Sequence, residues 1–360
     1  MFNKKNLVFL VSMLLVLAML LTGCGNSASS NSQEGESSNN SREKTQLVLA
    51  TWGGASEKGL REIVKPFEEE YNVEIVFDIG NNSDRLNKLR ANKGNPVVDV
   101  ALMTDCFSVI ANEEGLFDTI NPENVPNLKN LYDFAIDKDG FGPAYSVVRY
   151  GIVYDSEAVK ETPTSWEDLW NPEYKLSIPD ITSTAGPMLL VTASKLNGGD
   201  DRNIDPGFGK MAGLKDNIVN FYLSPTDVVA MFERKEIAMS PFLDIYVPTM
   251  QQSGLPIKWA DAKEGSFAGF NTVNITKGTK NKELAEKFVN FMLDENTQKQ
   301  IAEILFEAPT NKNAVVDESI AQHMAYGPEK VKQLVFFDWS YINSVKNEWI
   351  ERWNKEISSN

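Results

Sequence analysis

Apolar positions along this chain follow three rhythms. From Leu7 to Leu20 they run almost unbroken, interrupted only by Ser12. From Gly25 to about Lys44 they nearly vanish among Ser, Asn, Gly and Glu. From Gln46 onward, short strand-like runs alternate with helical stripes. Leu47-Val48-Leu49-Ala50 predicts a strand that stops at Trp52-Gly53-Gly54. Leu60, Ile63, Val64 and Phe67 fall on one helical stripe, and Val73 to Phe77 alternates as a half-buried strand does. Arg85 to Ala91 reads as a helix and Val97 to Met103 as a buried strand. This β-α-β-α-β order predicts a mostly parallel sheet covered by helices.

The rest of the chain repeats the theme. Strands are expected at Tyr150 to Tyr154, Leu176 to Pro179, Ile237 to Met239 and Ala268 to Ile275. Helices are expected at Gly186 to Leu196 and Pro225 to Arg234, and after them a core-facing stripe of Leu284, Phe288, Phe291 and Met292. The helical end carries Trp339, Tyr341, Trp349 and Trp353, which read as packing. Two α/β halves of similar size predict two lobes with a ligand cleft between them. In parallel α/β sheets ligands sit beyond the carboxyl ends of the strands. That rule selects Trp52-Gly53-Gly54, Thr104-Asp105-Cys106, Asp180 to Gly186, and Pro241-Phe242-Leu243-Asp244.

The first segment reads as an address. Lys4 and Lys5 precede an apolar run that suits a signal peptide and is short of the roughly 20 residues of a membrane span. It ends in Leu21-Thr22-Gly23-Cys24, which resembles a bacterial lipobox. Residues 1–23 are then a lipoprotein signal peptide and Cys24 the lipidated first residue of the mature chain. Residues 24–45 hold too little apolar surface to fold and are expected to form a disordered tether.

Composition narrows the chemistry. A net charge of −15 disfavours nucleic acid, which selects for basic patches. Beyond Cys24 the chain has only Cys106, so no intramolecular disulfide is expected, and with a single His323 no metal site either. There is no Gly-x-Ser-x-Gly elbow, His-Glu-x-x-His helix or Walker loop. The expectation is a binder without cofactor, not an enzyme.

The candidate loops also carry a family likeness. Thr51-Trp52-Gly53-Gly54, Asp99-Val100-Ala101 to Gly115-Leu116-Phe117, and Thr164-Ser165-Trp166-Glu167-Asp168-Leu169-Trp170 are its first markers. Pro172-Glu173-Tyr174-Lys175, Gly254-Leu255-Pro256-Ile257, Ala285 to Leu293 and Ala308-Pro309-Thr310-Asn311 complete them. With these the chain resembles the type 2 periplasmic binding proteins of the spermidine/putrescine class. The resemblance implies an α/β, two-lobed type 2 periplasmic-binding fold with hinge strands and an interlobe cleft. Lobe 1 would comprise 46–144 plus about 268–307, and lobe 2 145–267 plus about 308–360. It implies a monomeric extracytoplasmic lipoprotein, on the membrane only through its lipid, that hands a small molecule to an ABC permease.

The ligand stays open at this stage. Polyamine binders of the class place acids and aromatic rings on these loops, which suits ammonium groups and methylene stems. This chain keeps Trp52, but has Cys106 where such members carry Tyr, and Leu243 and Gly269 where they carry Trp. Ser183, Gly186 and Asn271 stand where they carry acids. Asp105, Asp180 and Asp244 are either a rearranged cation site or ordinary helix caps. Ser183 and Thr184 at a helix start are either an anion-binding turn or an N-cap. Arg149 is either a bidentate contact for a carboxylate or phosphonate, or half of a salt bridge. The candidate contacts are therefore Trp52, Gly53, Gly54, Thr104, Asp105, Arg149, Asp180, Ser183, Thr184, Asp244 and Asn271.

The anchor gives a first prediction. Cys24→Ala is expected to abolish lipidation and normal processing, read as loss of labelled fatty acid from the protein. Equal labelling of the variant would refute the lipobox.

Overall fold

In the computed structural model, which describes residues 44–358, the sheet grows outward from two long central strands. The signal peptide, Cys24 and all but the last two residues of the expected tether lie outside the described residues. β1 (Thr45–Thr51), β2 (Val73–Ile79) and β3 (Val100–Thr104) form a parallel set in the order β2-β1-β3. β4 (Phe117–Asp118) is a short pairing on its flank, and β5 (Ala144–Asp155) is the first long strand. β6 (Leu176–Pro179), β7 (Ile218–Tyr222) and β8 (Met239–Leu243) form the second parallel set, in the order β8-β6-β7. β9 (Ile257–Ala260), β10 (Ser266–Thr276), β11 (Ala308–Pro309) and β12 (Leu334–Val335) complete the sheet.

β5 and β10 join the two sets. They pair with each other antiparallel from Phe267↔Tyr150 to Thr272↔Ala144. Beyond that overlap β10 continues against β3, while β5 continues against β8 and β9. The expectation of a mostly parallel sheet is thus corrected: each end is parallel, and the centre is antiparallel. Each long strand must run through both halves, and it does so opposite in direction to the sets it meets.

Each half has its own core. Leu47, Leu49, Phe67, Val273 and Phe288 lie at the heart of one. Leu60, Ile63 and Val64 belong to it as the helical stripe requires, across helices Ala55–Ile63 and Lys65–Tyr71. The other holds Trp166, Ile178 and Leu189, with Trp349 and Trp353 entering from helix Trp339–Trp353. Trp166 stacks on Phe267 at 4.2 Å between ring centroids, which clips the Ser-Trp-Glu-Asp-Leu-Trp segment to the start of β10. Among the described residues no helix is long and apolar enough to cross a membrane.

Boundaries shift where polar and apolar cues overlap. β3 starts at Val100, not Val97, and β8 occupies Met239–Leu243, so Pro241 to Leu243 is strand where a loop was expected. Pro241 stands opposite Ile152 in the middle of the β5 ladder, and on its other side β8 pairs with β6 only at Met239, so the missing N–H of Pro241 falls where that second ladder has ended.

Helix Glu295–Leu305 is fastened to the crossing strands by one side chain. Gln298 is fully buried; its Oε1 accepts the backbone N–H of Thr310 at 2.8 Å and of Asn311 at 2.7 Å. Thr310 Oγ1 donates in turn to the carbonyl of Ala144 at the start of β5. Gln298→Leu keeps the volume but strands both N–H groups. The expected loss in chemical denaturation is on the order of 3 kcal/mol.

Candidate functional site

The carboxyl edge of the first parallel set carries Trp52-Gly53-Gly54. Gly54 turns the chain with φ 71°, a left-handed conformation that suits glycine, and the next helix begins at once. Gly53 and Gly54 are exposed, while Trp52 is half-buried. One face of the Trp52 ring is taken: the Arg85 guanidinium lies 4.2 Å from its centroid. Arg85 comes from the first turn of helix Asn82–Ala91, which follows β2.

Strand register assembles the next group. Asn271 on β10 stands opposite Thr104 on β3 and Ser146 on β5, so the three share one face of the sheet. A bulge lies at this point, because the next pair is Thr272↔Ala144 and Tyr145 is the extra residue. Into the same place comes Glu307, just before β11. Its carboxylate accepts from Ser146 Oγ and, at 3.0 Å, from Asn271 Nδ2. Burial pushes the Glu307 carboxyl up from its usual range, and the nearby Asp244 charge adds to that effect.

Arg149 and Asp244, both candidates, meet each other. Arg149 Nε lies 2.8 Å from Asp244 Oδ2, and the Arg149 backbone N–H donates to Oδ1 at 3.0 Å. Both are almost fully buried, and Trp259 covers the guanidinium at 4.6 Å. Of the two readings of Arg149, the geometry is the salt bridge. Asp244 is the other half of that bridge, so neither is a free charge.

The turn Asp180 to Gly186 also satisfies itself. Asp180 Oδ1 accepts from Thr182 N–H and its carbonyl from Ser183 Oγ, which in turn accepts from Gly186 N–H at 3.1 Å. Glycine at 186 is required by close approach: a Cβ there would sit 2.2 Å from the Asp180 carbonyl. Ser183, one residue before the N-cap Thr184, thus takes up a first-turn N–H of helix Ala185–Leu196. Lys346, from the last helix, donates to the Thr182 carbonyl at 2.9 Å and brings a half-buried cation to the turn. Thr184 reaches across to the first half, with its Oγ1 3.5 Å from Cys106 Sγ, which is 3.4 Å from Thr104 Oγ1. Burial pushes the Cys106 thiol up to about 11, so it stays protonated and is no nucleophile.

Asp105 opens helix Asp105–Glu113; its carboxylate accepts from Cys106 N–H and from Trp339 Nε1, each at 2.9 Å. The residue as a whole is half-buried, but desolvation of its carboxylate outweighs these bonds and pushes it up to about 7. Asp105 also borders a cavity of about 540 Å³ walled by Phe134, Phe270, Phe337 and Trp339. Phe270 and Thr272 flank Asn271 on β10, so this cavity faces the opposite side of that strand. None of the other ten candidate residues lines it.

The structure therefore brings Thr104, Asp105, Arg149, Thr184, Asp244 and Asn271 toward the crossing strands, with Trp52 at one end. Tyr150 feels the charges of Asp105 and Asp244 and the groups of Cys106 and Tyr246. Asp180 and Ser183 stay in their own turn. Sequence reasoning missed Glu307, Arg85, Tyr145, Tyr150 and Tyr246. A signal for Glu307 existed, since it immediately precedes Ala308-Pro309-Thr310-Asn311. Among the described residues no cluster of three or more His, Cys, Asp or Glu is arranged to hold a metal ion.

A pH dependence follows from Asp105. Its pKa rises from 3.8 to about 7 on folding, so the folded state holds this proton more tightly. That contribution is fully present below about 4 and is lost as pH rises through about 7. Asp105→Asn is expected to gain stability relative to the parent as pH rises across this window, measured by denaturant unfolding at several pH values. A constant difference would show that Asp105 titrates normally.

Comparison with known proteins identifies the family. Residues 62–328, more than half of the chain, match the family model described as bacterial extracellular solute-binding protein. The spermidine/putrescine-binding periplasmic protein of Escherichia coli is 24% identical over 254 residues, covering 68% of this chain and 72% of its own length. The gamma-aminobutyric acid-binding protein of Pseudomonas aeruginosa is 23% identical, covering 79% of this chain and 83% of its own. The crystal structure of an ABC transporter protein from Clostridium perfringens is 36% identical, with a TM-score of 0.77, covering 86% of this chain and 99% of its own. Two lobes joined through hinge strands, with the cleft between them, make this the type 2 periplasmic-binding fold. The chain belongs to the bacterial extracellular solute-binding protein family, in the class of the spermidine/putrescine-binding proteins.

Proposed function

We propose that this protein captures a small solute carrying a protonated amine and delivers it to an ABC permease, held at the outer face of the membrane by a lipid on Cys24. Polyamines such as spermidine and putrescine, named for the Escherichia coli relative, are the first members of that class to try; gamma-aminobutyric acid, named for the Pseudomonas relative, is another. The observation that carries the reading is Glu307. It is a buried carboxylate whose hydrogen bonds come only from the neutral Ser146 and Asn271. Among the described residues neither Glu307 nor Asp105 forms an ion pair, whereas Asp244 is already matched by Arg149. A buried charge without a partner is unfavourable, and an ammonium group would supply the partner. Tyr246, which feels Glu307, and Tyr145 add hydroxyl and ring surface beside it.

The same proposal gives each lobe its part. Lobe 1 (46–144 and about 268–307) offers Trp52, Thr104, Asn271 and Glu307; lobe 2 (145–267 and about 308–360) offers Thr184 and the Asp180–Ser183 turn. Closure about β5 and β10 would bring them onto the solute. Gly53 and Gly54 would border the mouth. Arg149 and Asp244 would set the shape and potential of the floor rather than bind directly. Binding is the whole activity; no chemical step is proposed.

Titration calorimetry on the chain from Lys44 onward, with spermidine and putrescine, tests this. Glu307→Gln is expected to weaken amine binding by about 1.5–3 kcal/mol, as for a charge-assisted hydrogen bond. Because burial raises the Glu307 pKa and a bound cation lowers it, affinity should fall on acidification, with proton release on binding at low pH. Full affinity in Glu307→Gln at every pH would place the amine elsewhere.

A further inference from the structure

Helix Asn82–Ala91 starts where β2 ends, at the same carboxyl edge that carries Trp52 and Thr104. From its first turn Arg85 folds back over this edge. Nη1 donates to the Gly80 carbonyl at 2.8 Å and Nη2 to Asn82 Oδ1 at 2.7 Å. That Asn82 oxygen also accepts the backbone N–H of Thr104, at 3.1 Å. Arg85 is 2% exposed, and its Nε is buried without a partner.

No carboxylate among the described residues pairs with this guanidinium. Asp78, which acts on it through space, is bonded to Lys88, and Asp84 closes a capping box with Asn81. All its hydrogen-bond partners are neutral, although removing a cation from water is strongly unfavourable without a counter-charge. Glu307 is the mirror case. The two groups are joined through a chain of contacts: Asn82, bonded to Arg85, holds Thr104, which stands opposite Asn271, the donor to Glu307, and Tyr145 at the bulge feels both charges. A guanidinium keeps several N–H donors in one plane, and the Trp52 ring fixes that plane from one side.

We propose that Arg85 is the anion-binding residue of the cleft, taking the carboxylate of a solute whose ammonium group meets Glu307. The solute is then an ω-amino acid and not a diamine. This rests on the reading of the protein as a binder of amines, and narrows it.

The test uses matched probes on the chain from Lys44 onward: 4-aminobutanoate against 1,4-diaminobutane, and 5-aminopentanoate against 1,5-diaminopentane. In one pair or both, calorimetry should show the amino acid binding the parent protein more tightly than the diamine. Arg85→Met should weaken the amino acid by roughly 10- to 150-fold, and leave the diamine unchanged or tighter, since a like charge is gone. Asn82→Asp covers the case in which Arg85→Met does not fold. It supplies an internal carboxylate at an atom already bonded to Arg85 and should likewise weaken the amino acid alone. Tighter binding of the diamine in both pairs would overturn the inference while the amine reading stands. So would an equal loss for both probes in the variants, which would make Arg85 only a prop for Trp52. If none of these probes, nor spermidine, binds the parent protein, the amine reading falls and the inference with it.

Discussion

Everything in this molecule is placed by the antiparallel pairing of β5 with β10. Each strand is too long to belong to one half, and their overlap spans only Ala144 to Tyr150 and Phe267 to Thr272. Within that overlap the backbone groups satisfy each other, so the strands hold their register at the point where the two cores end. Side chains there cannot all enter a core. Ser146, Arg149, Asn271 and Thr272 are buried polar residues on these strands because the space beside them is left for polar partners. The bulge at Tyr145 adds a side chain to this region without breaking the ladder on the β3 side, where Asn271 and Thr272 stay in step with Thr104 and Met103.

The charges on this frame fall into two kinds. Arg149 and Asp244 are matched, with two hydrogen bonds to one carboxylate and an aromatic cover. Removing either would leave the other stranded, a loss of about 3–5 kcal/mol, so the pair belongs to the framework. Glu307, Asp105 and Arg85 are unmatched, and each pKa moves in the direction that disfavours its charge. A protein whose only task was to be stable would have paired or removed them. In the proposed site the solute would complete the two pairs that Glu307 and Arg85 leave open.

The fold was legible wherever one period dominated. β1, the Leu60 to Phe67 stripe and the Leu284 to Met292 stripe all lie where alternation or helical spacing puts them. Trp349 and Trp353 pack into the core as expected, whereas Trp339 also walls the cavity and bonds Asp105. The site was legible as a set of loops, but not as a set of partners. Arg149 and Asp244 are 95 positions apart, and Ser146 and Glu307 are 161 apart. Whether an acid is a ligand or half of a bridge depends on those distant pairings, which no local pattern encodes. Arg85 read only as the first residue of an expected helix, because its burial depends on contacts with Trp52 and Gly80 that no local pattern encodes.

Trp52 shows how the same residue can change meaning. An aromatic ring at the end of the first strand suits a cation when its face is open. Here one face already holds a cation, the Arg85 guanidinium, so that face is closed to an incoming ammonium. An ammonium entering at this end would meet a like charge at close range. It would be favoured at the other end, beside Glu307, where the neutral donors Ser146 and Asn271 leave the carboxylate's charge uncancelled. In the proposed site, polarity would run from positive at Trp52 to negative at β11, across Thr104 and Asn271, and the solute would carry its charges in the opposite order.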